Sequence, residues 1–498
     1  MTMRGSAAVL AAAVMLLAGC TSDDGNDPEG SDGQPTAVPP TRTTSVVTGS
    51  GDAAPDPDDP AYDVALSEPS EDRVYPEVGD PGVDALHYQL DLAWTPEERT
   101  LDAVETLVFR STTDAESFQL DFGQSLTASS VLVDGRVADF EEDGKDLVVA
   151  VPVVEDQRYS VVIEYSGTPK PVAAPTTRSD FSTTGWTITD RGETWTMQEP
   201  FGGYSWYAVN DHPSDKALYD FTLSVPAPWT GVANGTLESI EEVDGNTVTR
   251  WHLDEPAASY LVTVANGNFK KQQARSDSGV PMTFWTPKGD PAAARSARAA
   301  ADELDWIEDR LGPYPFSSLG VLVVDSRSGM ETQTMITLGN STYTLSPEVL
   351  VHEMVHQWYG DQVTPQDWRD MWMNEGMTMY FQALWESQHY GVELESTLGD
   401  WAQFDQQIRN ESGPPADYDP TTFGEGNVYY LPALMWHKLR VRLGDEKFFE
   451  IARAWPQEHD NDNASYADIT AFWSERSGLD LQPFFDEWLL GKTSPAFP

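Results

Sequence analysis

The chain of 498 residues contains a single cysteine, Cys20, and this scarcity excludes several kinds of site. One cysteine cannot form a disulfide within the chain, and it cannot build a multi-thiolate zinc site or a Cys-x-x-Cys redox pair. Any bound metal ion must therefore be held by histidine and carboxylate side chains.

Basic residues are also few, because 30 Lys and Arg stand against 81 Asp and Glu, a net charge of -51. Such a surface repels nucleic acids and anionic membranes, so we predict no nucleic-acid partner. A hydrophobic content of 40% with 11% aromatic residues excludes a wholly disordered chain. The length is sufficient for two or three domains.

The apolar run near the N-terminus is short. Residues 7–17 are eleven apolar residues, too few to span a bilayer, and they lie between Arg4 and the small residues Ala18 and Gly19. This order is typical of an export signal. The segment that ends in Cys20 resembles a bacterial lipobox, which implies a lipoprotein signal peptide over 1–19, lipid on Cys20 and an extracytoplasmic protein anchored to the membrane only by that lipid. An ordinary secretory peptide with a coincidental cysteine is the alternative.

The next segment is dominated by Asp, Gly, Pro, Ser and Thr. Between Thr21 and Asp80 it carries 15 acidic residues against Arg42 and Arg73. This composition predicts an acidic, disordered linker over 20–82, which self-repulsion would keep extended.

The folded part divides by hydrophobic period. Over 83–275 apolar residues alternate with polar ones, with turn residues about every ten positions, which predicts an antiparallel β domain of sandwich type. Over 276–498 the period becomes helical, with strands expected at 319–324 and 330–338. We predict helices at 292–311, 346–359, 368–390, 428–443 and 481–490.

A His-Glu-x-x-His motif stands inside the second predicted helix. His352 and His356 lie four residues apart, on one helix face, where both imidazoles can bind one Zn²⁺. Glu353 is adjacent and angled to reach water on the metal. The alternative is a pair of surface histidines on a polar helix.

A catalytic zinc site needs a third protein ligand and an open fourth position. Glu375 is the candidate, because it lies in the next predicted helix after a polar loop over 360–367 that would let that helix fold back.

This arrangement is specific enough to suggest a family. His-Glu-x-x-His, 18 residues and then Glu, within His-Gln-Trp-Tyr-Gly over 356–360 and Trp-Met-Asn-Glu-Gly over 372–376, resembles the aminopeptidase N family of gluzincins. The similarity runs from about Val83 to Pro498 and includes 210–216 and the stretch from 428 onward. It implies an N-terminal β domain, a thermolysin-like catalytic domain, one Zn²⁺ per chain and peptide substrates with a free N-terminus.

The resemblance also implies residue roles. Glu353 would deprotonate the zinc water and later return the proton to the leaving amine. A tyrosine hydroxyl would stabilise the oxyanion, and Tyr429 occupies the matching position, with the neighbouring Tyr430 as the alternative.

The family binds the substrate amine through a Gly-x-Met-Glu-Asn motif on an edge strand, and the nearest match is Ser-Gly-Met-Glu-Thr over 328–332. Glu331 would be the amine anchor, while the backbone at Gly329 and Met330 would hold the peptide by β-augmentation. Glu199 in the β domain would supply a second carboxylate.

Some positions depart from the family pattern. Ser328 and Thr332 replace Gly and Asn in the amine motif. These replacements affect how closely the substrate backbone can approach the strand and where its amine is held. Leu431 and Pro432 replace a Lys-Gly or Arg-Gly pair, and a proline there is expected to perturb the helix. The chain lacks room for the large C-terminal helical domain of many relatives, so the cleft should be more open or be closed by a partner chain.

The absence of a Gly-x-Ser-x-Gly elbow disfavours a serine hydrolase. The sequence therefore predicts a zinc aminopeptidase acting on extracytoplasmic peptides. A zinc endopeptidase and a non-catalytic peptide-binding lipoprotein are the alternatives, and retention of Glu353 argues against the second because a binding protein needs no general base.

Overall fold

The computed structural model describes residues 55–497, which belong to one compact unit. The predicted signal peptide, Cys20 and the first part of the predicted linker lie outside the described residues.

Strands dominate the chain as far as residue 287. In chain order the strands are β1 (Val83–Thr95), β2 (Thr100–Ser111), β3 (Phe118–Asp121), β4 (Leu126–Val133), β5 (Arg136–Val137), β6 (Phe140–Asp143), β7 (Asp146–Val149), β8 (Arg158–Gly167), β9 (Val172–Ala173), β10 (Thr183–Ile188), β11 (Thr194–Met197), β12 (Lys216–Pro226), β13 (Thr230–Ala233), β14 (Thr236–Val243), β15 (Asn246–Ala258), β16 (Val264–Gly267), β17 (Phe269–Arg275), β18 (Pro281–Pro287), β19 (Leu319–Val324), β20 (Gly329–Met330), β21 (Met335–Gly339), β22 (Val363–Pro365) and β23 (Asp462–Ala464).

The β domain contains three sheets. The largest has eight strands in the order β14-β15-β12-β1-β2-β8-β4-β5, and sheets of five strands (β13-β16-β11-β10-β9) and three strands (β3-β7-β6) accompany it. The predicted antiparallel β domain is confirmed, although β1 and β12 pair in parallel. That pairing joins strands far apart in the chain, which alternation within each strand does not reveal.

Helices carry most of the second half. They are α1 (Pro291–Arg298), α2 (Ala300–Leu311), α3 (Pro347–His356), α4 (Trp372–Tyr390), α5 (Leu394–Ala402), α6 (Asp405–Ser412), α7 (Gly426–Leu443), α8 (Asp445–Glu458), α9 (Tyr466–Ser477) and α10 (Gln482–Leu489). Short 3-10 turns occur at Pro60–Ala65, Gly203–Ser205, Ser259–Leu261, Trp368–Asp370 and Pro420–Thr422. None of the helices within 55–497 is both long and apolar enough to cross a membrane.

A second five-stranded sheet, β17-β18-β19-β21-β20, precedes the central helices. The predicted boundary at 275/276 falls between β17 and β18, which pair along their whole length, so β17 belongs with this second sheet. In this sheet β20 forms one edge.

The described part of the predicted linker, residues 55–82, is packed, so that prediction is wrong for these residues. Val74 and Val78 are buried. The buried carboxylate of Asp72 accepts hydrogen bonds from the backbone N–H groups of Val74 at 2.6 Å and Trp368 at 2.9 Å. Arg73 forms ion pairs with the buried carboxylates of Asp367 and Asp370. A few well-placed residues therefore override an average composition that is typical of disorder.

We expect this segment to contribute to stability. A chain shortened to begin at residue 83 should lose about 3 kcal/mol or more of unfolding free energy, because two buried valine side chains alone contribute about 1.5 kcal/mol or more each. Urea unfolding followed by tryptophan fluorescence measures the difference. A chain that begins at residue 55 is the control, and equal midpoints for the two chains would contradict the expectation.

Candidate active site

Two histidines of α3 begin the site. Ser346 and Pro347 start this helix, and the following residues from Val349 to His356 are all buried. His352 and His356 lie one turn apart, with their Nε2 atoms separated by 3.2 Å. The predicted pairing of the two imidazoles on one helix face is thus present in the structure.

Helix α4 supplies the third side chain of the cluster. Its first turn carries Glu375, whose Oε2 lies 3.1 Å from His352 Nε2 and 3.4 Å from His356 Nε2. The 3-10 turn that leads into α4 is capped by Asp367, which accepts from the N–H of Arg369. The predicted loop over 360–367 therefore does return the chain so that α4 packs against α3.

A backbone carbonyl sets the orientation of the His356 imidazole. His356 Nδ1 lies 3.1 Å from the carbonyl oxygen of Tyr359 and must donate to it, which leaves Nε2 as a lone-pair donor. Thr378 Oγ1 lies 3.4 Å from His352 Nε2. This is the arrangement of a metal-binding pair rather than of two solvent-exposed histidines.

The three side chains fit a zinc ion. One ligand atom from each of His352, His356 and Glu375 lies within 4.8 Å of the others, and all three residues are buried. Two imidazole nitrogens and one carboxylate oxygen, with a fourth position open, form the donor set of a catalytic zinc site. Burial would raise the pKa of Glu375, but the two imidazoles hold it well below its usual range, so this carboxylate is an anion ready to ligate.

Glu353 lies between the metal ligands and the edge strand β20. A Cβ added at Gly329 would collide with Glu353 Oε1, so glycine at this position permits the close approach of the carboxylate. Burial and the neighbouring Glu331 raise the pKa of Glu353. A raised pKa makes the carboxylate a stronger base, which suits a group that accepts a proton from water and later returns it.

The two carboxylates expected at the amine position do meet. Glu199, Glu331 and Glu375 each offer an oxygen within 4.8 Å of the others. Glu331 is buried, and its Oε1 has no hydrogen-bond partner among residues 55–497. An unpaired carboxylate oxygen in a buried acidic cluster calls for a cationic ligand.

The altered amine motif keeps its strand geometry. Gly329 and Met330 pair with Leu338 and Thr337 of β21, leaving the other side of β20 at the sheet edge. The Thr332 hydroxyl hydrogen-bonds the Met335 carbonyl and approaches Thr337 Oγ1. Threonine therefore supports the turn between the two strands at the position where the family has asparagine.

Tyr429, and not Tyr430, faces the metal ligands. Its ring stacks on His352 with 6.1 Å between ring centroids, whereas the ring of Tyr430 packs on Trp401. Helix α7 continues through Pro432, contrary to the expected perturbation. Gly376 of α4 explains the fit, because a Cβ there would lie 2.5 Å from the Pro432 side chain.

Sequence reasoning missed Arg178, which lies between β9 and β10. Its guanidinium carbon is 5.6 Å from the Tyr429 ring centroid. Burial lowers the pKa of Arg178, but the Tyr429 hydroxyl and the Asp180 carboxylate more than offset this and raise it. No local pattern marks a single arginine in a loop, so its proximity to the site was visible only in the fold.

Two family models match the chain. The peptidase M1 N-terminal domain matches residues 84–261, and the peptidase family M1 domain matches residues 296–488, which contain the three metal ligands. The chain belongs to peptidase family M1. Membership confirms the predicted gluzincin resemblance, the two-part fold and Zn²⁺ as the cofactor.

Among M1 relatives, glutamyl aminopeptidase of Bos taurus is 26% identical over 61% of this chain and 35% of its own length. Aminopeptidase N of Streptomyces lividans is 22% identical over 82% of this chain and 50% of its own length. The chain thus spans a third to a half of the length of these curated relatives.

Solved M1 structures share the fold. A mutant of the M1 zinc metallopeptidase from Deinococcus radiodurans, bound to a Tyr-Ser-Ala substrate, superposes with a TM-score of 0.77 at 24% identity and covers 86% of this chain and 99% of its own. Aminopeptidase A of Legionella pneumophila, in complex with aspartic acid, gives a TM-score of 0.71 at 19% identity over 82% of this chain and 49% of its own.

A lysine of the β domain supports the ligand-bearing helices of this M1 chain. Lys216 is buried, and its Nζ donates to the carbonyl oxygens of Asp361 at 3.0 Å and Gln362 at 3.2 Å, in the loop between α3 and α4. Burial lowers the pKa of Lys216 to about 7, although Asp361, Asp462 and Asp460 oppose the shift.

This lysine should make stability depend on pH. Between about pH 7 and its ordinary pKa of 10.5, the unfolded chain binds a proton at Lys216 that the folded chain does not. Stability therefore rises with pH across that window. We expect the difference in unfolding free energy, wild type minus Lys216→Met, to increase from pH 7 to pH 10 and to be flat below pH 7. Denaturant titrations at four pH values measure it, and a pH-independent difference would contradict the assignment.

Proposed function

We propose that this chain is a zinc-dependent aminopeptidase that removes the N-terminal residue of peptides outside the cytoplasm. The observation that carries the proposal is the pair Glu199 and Glu331 beside the metal ligand Glu375, with a buried carboxylate oxygen that lacks a partner among the described residues. The named aminopeptidases among its relatives support the same activity.

The acidic pair selects the end of a peptide. A protonated α-amine placed between two carboxylates gains charge-assisted hydrogen bonds, while an internal peptide N–H gains none. Both carboxylates have an oxygen within 4.8 Å of an oxygen of Glu375. An amine held between them therefore places the first peptide bond next to the metal position. The substrate backbone can continue along the free side of β20 as an added strand.

His352, His356 and Glu375 would hold Zn²⁺, which would polarise the scissile carbonyl and lower the pKa of water. Glu353, which approaches Gly329 on the edge strand, takes the proton from the attacking water and returns it to the departing amine. Tyr429, whose ring stacks on His352, donates a hydrogen bond from its hydroxyl to the oxygen of the scissile carbonyl, on which negative charge develops.

Product mapping tests the proposal. The purified protein should shorten an unblocked peptide of six to eight residues from the N-terminus one residue at a time, as followed by mass spectrometry. The same peptide with an acetylated N-terminus should remain intact under matched conditions. Cleavage of the acetylated peptide at an internal bond would instead identify an endopeptidase, and stoichiometric binding without cleavage would identify a binding protein.

We also propose that Cys20 carries a lipid that anchors the protein on the outer side of the cell membrane. Each buried methylene of a lipid contributes about 0.8 kcal/mol to membrane affinity, and a net charge of -51 opposes any electrostatic attachment. Cys20→Ser should move the protein from the membrane fraction to the soluble fraction or block its processing. A variant that fractionates with the membrane as firmly as the wild type would show that the lipobox interpretation is wrong.

A further inference from the structure

One loop of the β domain is tied to the segment that leads into α7. We call residues 174–182 the arginine loop. The N–H of Phe423 donates to the Pro175 carbonyl at 3.0 Å, and Thr176 Oγ1 donates to the Phe423 carbonyl at 2.7 Å. Because α7 starts at Gly426, these bonds fix the chain just before the turn that carries Tyr429.

Arg178 is held at the tip of this loop. Its Nε and Nη2 donate to the two oxygens of Asp180 at 3.1 and 2.5 Å, and its Nη1 donates to the Gly424 carbonyl at 2.8 Å. The guanidinium carbon also lies 4.5 Å from the ring centroid of Phe181. These three hydrogen bonds and the contact with the Phe181 ring fix the orientation of the planar guanidinium.

That orientation presents the guanidinium to the active site. Its carbon is 5.6 Å from the Tyr429 ring centroid, and the Tyr429 hydroxyl interacts with it electrostatically. The side chain is 29% exposed, so it is partly accessible to solvent.

We propose that Arg178 is the positioning residue for Tyr429, because its fixed guanidinium lies against the phenol ring and holds the hydroxyl toward His352, His356 and Glu375. The inference rests on the proposed peptidase function and deepens it. It makes the β domain a contributor to turnover, since the guanidinium acts on the reaction through a side chain of the helical domain.

A double-mutant cycle tests the assignment. Arg178→Met in the otherwise wild-type protein should lower kcat about 10- to 100-fold on a free-amine peptide, since misplacement of a catalytic group by about 1 Å can cost about 100-fold. KM should change less than about threefold, because Tyr429 acts mainly in the transition state. In the Tyr429→Phe background the same substitution should cost less than about threefold, because no hydroxyl remains to be positioned.

Two further variants keep the test interpretable. Arg250→Met is the matched control, because Arg250 is a β-domain arginine with 31% side-chain exposure and one carboxylate partner, Glu241, and it should keep kcat within about twofold. If Arg178→Met fails to fold, as judged by circular dichroism, Arg178→Lys retains the charge but loses the planar fork, and it should still lower kcat only when Tyr429 is present.

Equal losses in the wild-type and Tyr429→Phe backgrounds would overturn the proposal, because Arg178 would then act independently of the hydroxyl. A loss confined to KM, and to substrates with a free C-terminal carboxylate rather than a C-terminal amide, would also overturn it and would identify a carboxylate subsite instead. An inactive zinc-loaded wild type would refute the proposed function itself, together with this inference, whereas an active wild type with either of the first two results refutes only the inference.

Discussion

Glu353→Gln should lower kcat about 100- to 10,000-fold while leaving one zinc bound per chain. Glutamine has nearly the same shape as glutamate but cannot accept and return a proton. Glu353 is not one of the three side chains whose atoms converge at 3.1 to 3.4 Å, so the metal ligands should be undisturbed. Single-turnover kinetics and metal analysis by mass spectrometry measure the two quantities.

The control for this substitution is Glu105→Gln, which removes another buried carboxyl group, located in the β domain and hydrogen-bonded to the N–H of Ala208. It should leave kcat within about twofold in protein that remains folded. Undiminished turnover in Glu353→Gln would end the assignment of a general base, and loss of zinc in that variant would show that Glu353 ligates the metal.

Glu331→Gln should lower kcat/KM about 10- to 150-fold on a peptide with a free amine, and far less on the acetylated peptide. A charge-assisted hydrogen bond in a buried site contributes about 1.5 to 3 kcal/mol, which corresponds to that range. The acetylated peptide never makes this contact, so the substitution removes nothing from it. The four values of kcat/KM, for two proteins and two peptides, form a double cycle.

Zinc content should be equal in wild type and Glu331→Gln, because Glu331 lies beside the ligand set and not within it. Similar losses on both peptides would mean that Glu331 has a structural role. In that case the Ser-Gly-Met-Glu-Thr segment would no longer serve as an amine site, and the exopeptidase proposal would lose its main support.

The convergence of His352, His356 and Glu375 was predictable because each position depends on local sequence. His352 and His356 need only a helical period of about 3.6 residues, and Glu375 needs only a short loop that lets α4 return. In the structure the three side chains converge, with 3.1 to 3.4 Å between their ligand atoms, and their role as zinc ligands stays a prediction.

The second acidic group and the cation depend on long-range folding. Glu199 comes close to Glu331 because a segment after β11 reaches the sheet edge at β20, and only the family resemblance suggested it. Arg178 comes close to Tyr429 because hydrogen bonds join the arginine loop to residues 423–425, just before α7. The bonded residues are 246 to 248 positions apart, a separation at which the sequence has no periodic signal.

Composition misled the prediction in one region. Residues 55–82 have the acidic, Pro-rich content of a linker, but Arg73 meets two nearly buried carboxylates and Asp72 accepts three backbone N–H groups. Both partners of Arg73, and the Trp368 N–H that donates to Asp72, lie near residue 370, outside any local window.

The most direct test of the central claim is the zinc dependence of aminopeptidase activity. Purified protein would be assayed on aminoacyl fluorogenic substrates as prepared, after dialysis against a chelator, and after addition of one equivalent of Zn²⁺. The account predicts one zinc per chain at the start, loss of activity with loss of the metal, and recovery at one equivalent. Activity that persists in metal-free protein, or a zinc-loaded protein that releases no N-terminal residue from any of these substrates, would contradict it.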